Sequence, residues 1–185
     1  IPEKQGSSGL DEVALMKDGA VLICLMEPHQ SQELIEALAN KNITAFSMEL
    51  LPRITRAQTM DTLSSQSNLA GYKAVLEAAH AFGRAFPMMM TAAGTVPPAK
   101  CLVMGAGVAG LQAIATARRL GAVVSASDVR PAAKENVESL GASFVAVQDE
   151  EFKQAETAGG YAKEMSDDYK AKQSELIAST VAKQD

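Results

Sequence analysis

The chain has 185 residues, of which 47% are hydrophobic, 4% aromatic and 21% charged, and its formal net charge is −5. That length holds one or two domains, in which small aliphatic side chains must do most of the packing. The acidic balance argues against a nucleic-acid surface, and the 2 cysteines, Cys24 and Cys101, each sit in an apolar run and read as core thiols, not a disulfide.

Residues 1–9 contain Pro2, Gly6, Ser7, Ser8 and Gly9 and read as a loop. A short helix is expected over residues 10–17, a buried strand over 20–26, and a turn at Glu27-Pro28-His29. Ser31 is placed as the N-cap of a helix through Asn40, with Leu34, Ile35 and Leu38 on one face. Residues 43–48 alternate as a strand. Strand, helix and strand in that order predict an α/β lobe with a parallel sheet.

Residues 49–63 follow the second strand of this lobe and so lie at a carboxyl end, where open α/β sheets bind ligands. Arg53, Arg56, Gln58 and Asp61 crowd there. Composition alone leaves a ligand loop and a solvated loop about evenly matched.

Residues 64–68 read as caps of a long helix over 69–86, with Leu69, Tyr72, Val75, Leu76, Ala79, Phe82 and Phe86 at helical spacing. His80 on it reads as a packing or surface residue. Met88-Met89-Met90 reads as filler for a core gap or lobe interface, not as a metal site, and no metal is expected anywhere. The longest charge-free stretch, residues 86–99, is broken by Pro87, Gly94, Pro97 and Pro98, so no membrane span is expected.

Residues 100–130 carry the strongest pattern. An apolar strand over 101–104 runs into Gly105-Ala106-Gly107-Val108-Ala109-Gly110, then a helix over 111–120 that stops at Gly121. A second strand over 123–127 ends on Asp128-Val129-Arg130. Gly105 permits the tight turn, Gly107 lets a pyrophosphate approach the backbone, and Gly110 lets helix and strand pack. The helix N-terminus offers N–H groups to phosphates. Asp128 stands where an acid about 20 residues past the glycines binds ribose hydroxyls, which favours NAD(H) over NADP(H). Arg130 argues the other way, but the position of Asp128 is better defined.

Pro131 opens a helix through Leu140, Gly141 stops it, and residues 143–147 form a third strand. Residues 148–167 are a polar stretch centred on Gly159-Gly160-Tyr161, and 168–183 form a helix bearing Tyr169, Gln173, Leu176 and Ile177. Three strands of a doubly wound nucleotide fold are therefore expected, plus the helix leading to a fourth. The fold class is α/β: two Rossmann-like lobes with parallel sheets, both incomplete, joined by a long helix. Their expected limits are residues 1–66 for the first lobe, 67–99 for the crossing helix and connector, and 100–185 for the nucleotide lobe. With Ile1 first and the second sheet unfinished, a portion of a longer protein is expected.

Four motifs carry a family resemblance. Residues 53–72, 91–100, 105–110 and 156–165 resemble the NAD(H)-binding component of proton-translocating NAD(P) transhydrogenase, of the alanine dehydrogenase/transhydrogenase superfamily. The resemblance implies that NAD(H) binds between two lobes and exchanges hydride directly with NADP(H) on a partner component, while a membrane-spanning partner couples this to proton movement. It implies a homodimer, peripheral on the cytoplasmic face of a bacterial inner membrane or the matrix side of a mitochondrial one. It assigns Arg53, Gln58, Asp61 and Ser64 to the nicotinamide as the catalytic set, with Ile54 and Thr55 beside them. Gly105, Gly107, Val108, Ala109, Gly110, Asp128, Val129 and Arg130 would hold the rest of the cofactor. Gly160 and Tyr161 would belong to a loop that closes over it, and Gln173 would approach the nicotinamide end. An alanine dehydrogenase-like oxidoreductase and a non-catalytic NAD-sensing module are the alternatives. The first needs a histidine on or just after the strand over 20–26, and His29 comes late for that.

Overall fold

The computed structural model describes residues 11–153, 155 and 165–185, and the chain within it divides into two compact units, residues 1–66 and 67–185. The loop expected over residues 1–9 lies outside the described residues.

The first unit opens with a one-turn helix α1 (Glu12–Leu15), whose Asp11 cap accepts from the Ala14 amide at 3.0 Å. Strand β1 (Val21–Cys24), helix α2 (Gln32–Asn40) and strand β2 (Thr44–Ser47) follow. The strands are parallel, with Val21 opposite Thr44 and Cys24 opposite Ser47. Val13, Met26, Leu38 and Ile43 form the core beneath them. Ser31 occupies the N-cap position of α2, yet its side chain makes no capping bond. After β2 the backbone makes two 3-10 turns, Met48–Leu50 and Thr55–Met60.

Helix α3 (Thr62–Ala81) starts seven residues before the expected 69 and carries the unit boundary within it. The cap is Asp61, not the serine cluster: its carboxylate accepts from the Ser64 amide at 2.9 Å and the Ser64 hydroxyl at 2.6 Å. An Asp three residues before Ser satisfies an orphan donor of the first turn, so Ser64 and Ser65 fall inside the helix.

In the second unit, the stretch over residues 86–99 contains regular structure. Strands β3 (Met89–Thr91) and β4 (Gly94–Val96) form an antiparallel hairpin. Gly94, at φ +134°, turns the chain, and Thr91 Oγ1 accepts from the Ala93 amide. The methionine run is exposed, with Met90 at 73%, and so does not fill the core. Strand β5 (Lys100–Met104), helix α4 (Val108–Arg119), strand β6 (Val123–Ser127), helix α5 (Ala132–Ser139) and strand β7 (Ser143–Phe144) complete a three-stranded parallel sheet in the order β5-β6-β7. This is the inner strand and its two outward neighbours in one half of a doubly wound sheet. Ile114, Ala117, Val124, Ala126 and Val137 pack at its centre. Strand β7 is two residues long, not five. Helix α6 (Glu150–Lys153) interrupts the expected polar loop, and α7 (Asp167–Val181) follows with Ser166 as its cap.

Candidate functional site

The expected site residues fall into two groups, one in each unit. In the first unit Arg53, Ile54, Gln58 and Asp61, with Met48 and Glu49, line a cleft of about 210 Å³ beyond the carboxyl end of β2. The 3-10 turn over Thr55–Met60 curls the chain so that Gln58 and Asp61 come to one wall, and Ala57 is its buried anchor. Thr55 begins this turn, and Ser64 bonds to Asp61 as described. The Ser64 hydroxyl and amide hold the Asp61 carboxyl below its ordinary value, with Arg53 adding its charge. Four of the residues expected here thus surround one cavity, among them an acid, a base and an amide.

Glu49 is a feature sequence reading missed. One oxygen accepts from the amides of Met26 and Glu27, each at 2.7 Å, and the other from the Ser47 hydroxyl. Burial pushes its pKa up, but the hydrogen bonds from Ser47, Glu27 and Met26 outweigh burial and bring it to about 2. This carboxylate ties the chain leaving β1, where Glu27 adopts φ +48°, to the end of β2. No local pattern announces a carboxylate whose partners lie 22 and 23 residues away.

In the second unit Gly105 turns the chain at φ +89° and Gly107 sits at the N-cap of α4. No side chain caps this helix. Among the described residues, a Cβ on Gly107 would meet no atom within 4 Å, so they leave the space before the helix open. Gly110 is the opposite case: its Cβ would fall 1.8 Å from the Gly105 carbonyl oxygen. That contact locks helix to turn, with Val108 and Ala109 forming the first turn between the two glycines. The chemistry fits a pyrophosphate: helix N–H groups without a side-chain cap, and space that the described residues leave open.

Asp128, just past β6, accepts four hydrogen bonds. The Ala106 amide gives one at 2.7 Å, and Arg130 gives three, through its amide at 2.9 Å and its Nε and Nη2 at 3.0 Å each. Burial raises the carboxyl pKa, and the Arg130 and Ala106 hydrogen bonds more than reverse it. The acid therefore fastens the glycine turn to the end of β6. Ala106 as its amide partner was not anticipated, although its place inside the glycine turn could have suggested it.

Val129 and Gln173 line a second cleft of about 510 Å³, with Met104, Met165, Tyr169 and Ile177, between the strand ends and α7. Gln173 bridges two segments: its Oε1 accepts from the Val147 amide at 2.8 Å and its Nε2 donates to Ser127 Oγ at 3.1 Å. Tyr169, fully buried, donates to the Val147 carbonyl at 3.1 Å. Gly160 and Tyr161 lie outside the described residues. Among the described residues no group of three or more His, Cys, Asp or Glu could hold a metal ion, and no helix is long and apolar enough to cross a membrane.

A parallel β5-β6-β7 sheet, a G-x-G-x-x-G turn into an uncapped helix and an acid closing the second strand define a Rossmann-type α/β protein. More specifically, the chain belongs to the alanine dehydrogenase/PNT family, whose N-terminal domain matches residues 6–70 and whose C-terminal domain matches residues 74–185. It is 63% identical over 177 residues to the first part of the NAD(P) transhydrogenase alpha subunit of Rhodospirillum rubrum, covering 96% of this chain and 46% of that protein. A crystal structure of transhydrogenase from Sinorhizobium meliloti superposes with a TM-score of 0.83 at 56% identity, covering 100% of this chain and 47% of the other. An L-alanine dehydrogenase structure shares the fold, with a TM-score of 0.63 at 23% identity over 80% of this chain and 41% of that one. The chain spans about half the length of the curated relatives it matches.

Proposed function

We propose that this chain is the NAD(H)-binding part of a proton-translocating NAD(P) transhydrogenase. Direct hydride exchange takes place with NADP(H) on a partner component, and a membrane-spanning component couples it to proton movement. The observation that carries this reading is the grouping of Arg53, Gln58 and Asp61 around one cleft in a chain that also has an open glycine turn. A general dinucleotide fold needs only the second.

In this reading residues 1–66 are the first lobe, 67–99 the crossing helix and connector, and 100–185 the nucleotide lobe. Bound NAD(H) supplies the carbon that gives or takes the hydride. Residues Gly105, Gly107, Val108, Ala109 and Gly110 hold the pyrophosphate against the start of α4. Asp128, Val129 and Arg130 hold the adenosine ribose. Arg53, Ile54, Thr55, Gln58, Asp61 and Ser64 orient the nicotinamide: Arg53 and Gln58 offer donors to a carboxamide oxygen, and Asp61 accepts from its NH₂. Gly160 and Tyr161 contribute to binding the cofactor, and Gln173 serves its nicotinamide end. No side chain has to move a proton, because the transferred group is a hydride, so catalysis is mainly positioning. The protein works as a homodimer, peripheral on the cytoplasmic face of the bacterial inner membrane or the mitochondrial matrix side.

The test is NAD(H):NADP(H) hydride exchange with the NADP(H) component present and absent. Exchange only with the partner supports the reading. NADH oxidation by pyruvate and ammonia instead would assign an alanine dehydrogenase, and NADH binding without either reaction a sensing module.

A further inference from the structure

Gly71 lies in the middle of α3, outside the sequence of the nucleotide turn, and is one of only two buried positions in that helix, with Val75. A Cβ on it would fall 2.0 Å from the carbonyl oxygen of Ala109, 2.8 Å from its carbonyl carbon and 3.0 Å from its Cα. All three atoms are backbone, so no rotamer change relieves the contact. Ala109 is the second residue of α4, inside the first turn whose N–H groups meet the pyrophosphate in the reading above. A residue without a side chain is what lets two helices approach to backbone contact.

We propose that Gly71 is a positioning residue for cofactor binding. By admitting the Ala109 carbonyl against α3, it sets where the first turn of α4 stands relative to the Gly105 turn. The other side of this turn is fixed by Gly110, whose own Cβ would meet the Gly105 carbonyl at 1.8 Å. The first turn of α4 is thus held between two glycine contacts, one in the fingerprint and one contributed by another helix. Adding one methyl at Gly71 must shift either α3 or the phosphate-binding turn, and interiors packed this tightly pass such a shift on to their neighbours.

The inference rests on the proposed NAD(H) function and is tested in the full-length chain with a matched control. Gly121 closes α4 at its far end; a Cβ there would meet Pro87 at 2.6 Å, at a φ of +95°. Gly71→Ala and Gly121→Ala are compared for thermal midpoint without nucleotide and for Kd of NADH and of ADP-ribose. Gly71→Ala is expected to raise both dissociation constants by about tenfold or more, a shift of the order that one overpacked methyl produces. Gly121→Ala is expected to lower the midpoint while keeping both constants within about twofold of the parent. Equal effects of the two variants on Kd, an unchanged Kd in Gly71→Ala, or loss confined to NADH with ADP-ribose unaffected would each overturn the inference. If Gly71→Ala does not fold at the assay temperature, it is titrated the same way at reduced temperature, and a parent-like Kd there overturns it as well. Failure of the parent chain to bind NADH would instead sink the functional reading on which it stands.

Discussion

Asp128 and Arg130 grip one another at two points, Nε to Oδ1 and Nη2 to Oδ2, each at 3.0 Å. With the amides of Ala106 and Arg130 also donating, the carboxylate accepts at all of its roughly four lone-pair sites. In the proposed reading a ribose hydroxyl has to displace or share one of these donors, and the side-chain prongs of Arg130 yield more easily than the backbone amide of Ala106. The pair also offsets charge, so under that reading the preference for NAD(H) expected from Asp128 depends on how far Arg130 moves.

Asp128→Ala is expected to weaken NADH binding by about tenfold to a hundredfold, the range for losing hydrogen bonds to a charged group. Some of the loss comes from the turn, because Ala106 loses its acceptor. Titration calorimetry with NADH checks it, and an unchanged Kd would end the assignment of this acid to the cofactor.

Gln58→Ala should slow hydride exchange more than it weakens NADH binding. Gln58 is an exposed wall of the cleft beside Arg53 and Asp61, outside the core. Orienting a ring affects the reactive geometry more than the ground-state affinity. Stopped-flow exchange set beside equilibrium Kd decides this; equal losses in both would make Gln58 an ordinary contact.

Glu49 predicts an acid-sensitive first unit. Its folded pKa, about 2, lies below the ordinary 4.5, so its contribution to stability is present above pH 4.5 and fades as pH falls from there towards 2. Glu49→Gln should lower the thermal midpoint at pH 7 and flatten its decline across that window. Melting curves from pH 7 to pH 3 measure both; coincident curves for parent and variant would show that this carboxylate is energetically silent.

Tyr169 and Gln173 brace opposite sides of Val147, the first at its carbonyl and the second at its amide. Tyr169→Phe and Gln173→Ala should each cost about 1–3 kcal/mol in chemical denaturation, because each leaves a peptide group without its partner. Gln173→Ala should also loosen the end of β6 through Ser127, which amide exchange at residues 125–128 would register. Stability unchanged to within about 0.5 kcal/mol in both variants would mean solvent replaces these bonds.

The α/β class was legible because parallel-sheet strands leave short apolar runs and helices leave a different period, as at residues 123–127, which match β6 residue for residue. The glycine turn was legible for a related reason: backbone conformations closed to other residues force particular amino acids, as φ +89° does at Gly105. Misreadings arose where local signals competed. The serines at 64, 65 and 67 have cap chemistry, but Asp61 stands earlier and takes the first-turn amide. The hairpin over Met89–Val96 was hidden because methionine signals burial by composition, while these side chains are exposed.

What the sequence determined by itself is the set of elements and the residues whose backbone or charge is demanded locally: Gly105, Gly110, Asp128, and the polar run from Arg53 to Asp61. What only the tertiary structure decided is which groups satisfy one another across distance. Glu49 finds the amides of Met26 and Glu27, Ala106 finds Asp128, and Gly71 admits the carbonyl of Ala109. The reason is physical. Local conformational preference acts over a few residues along the chain, whereas hydrogen-bond satisfaction and close packing act through space, and spatial neighbours appear only once the backbone has folded.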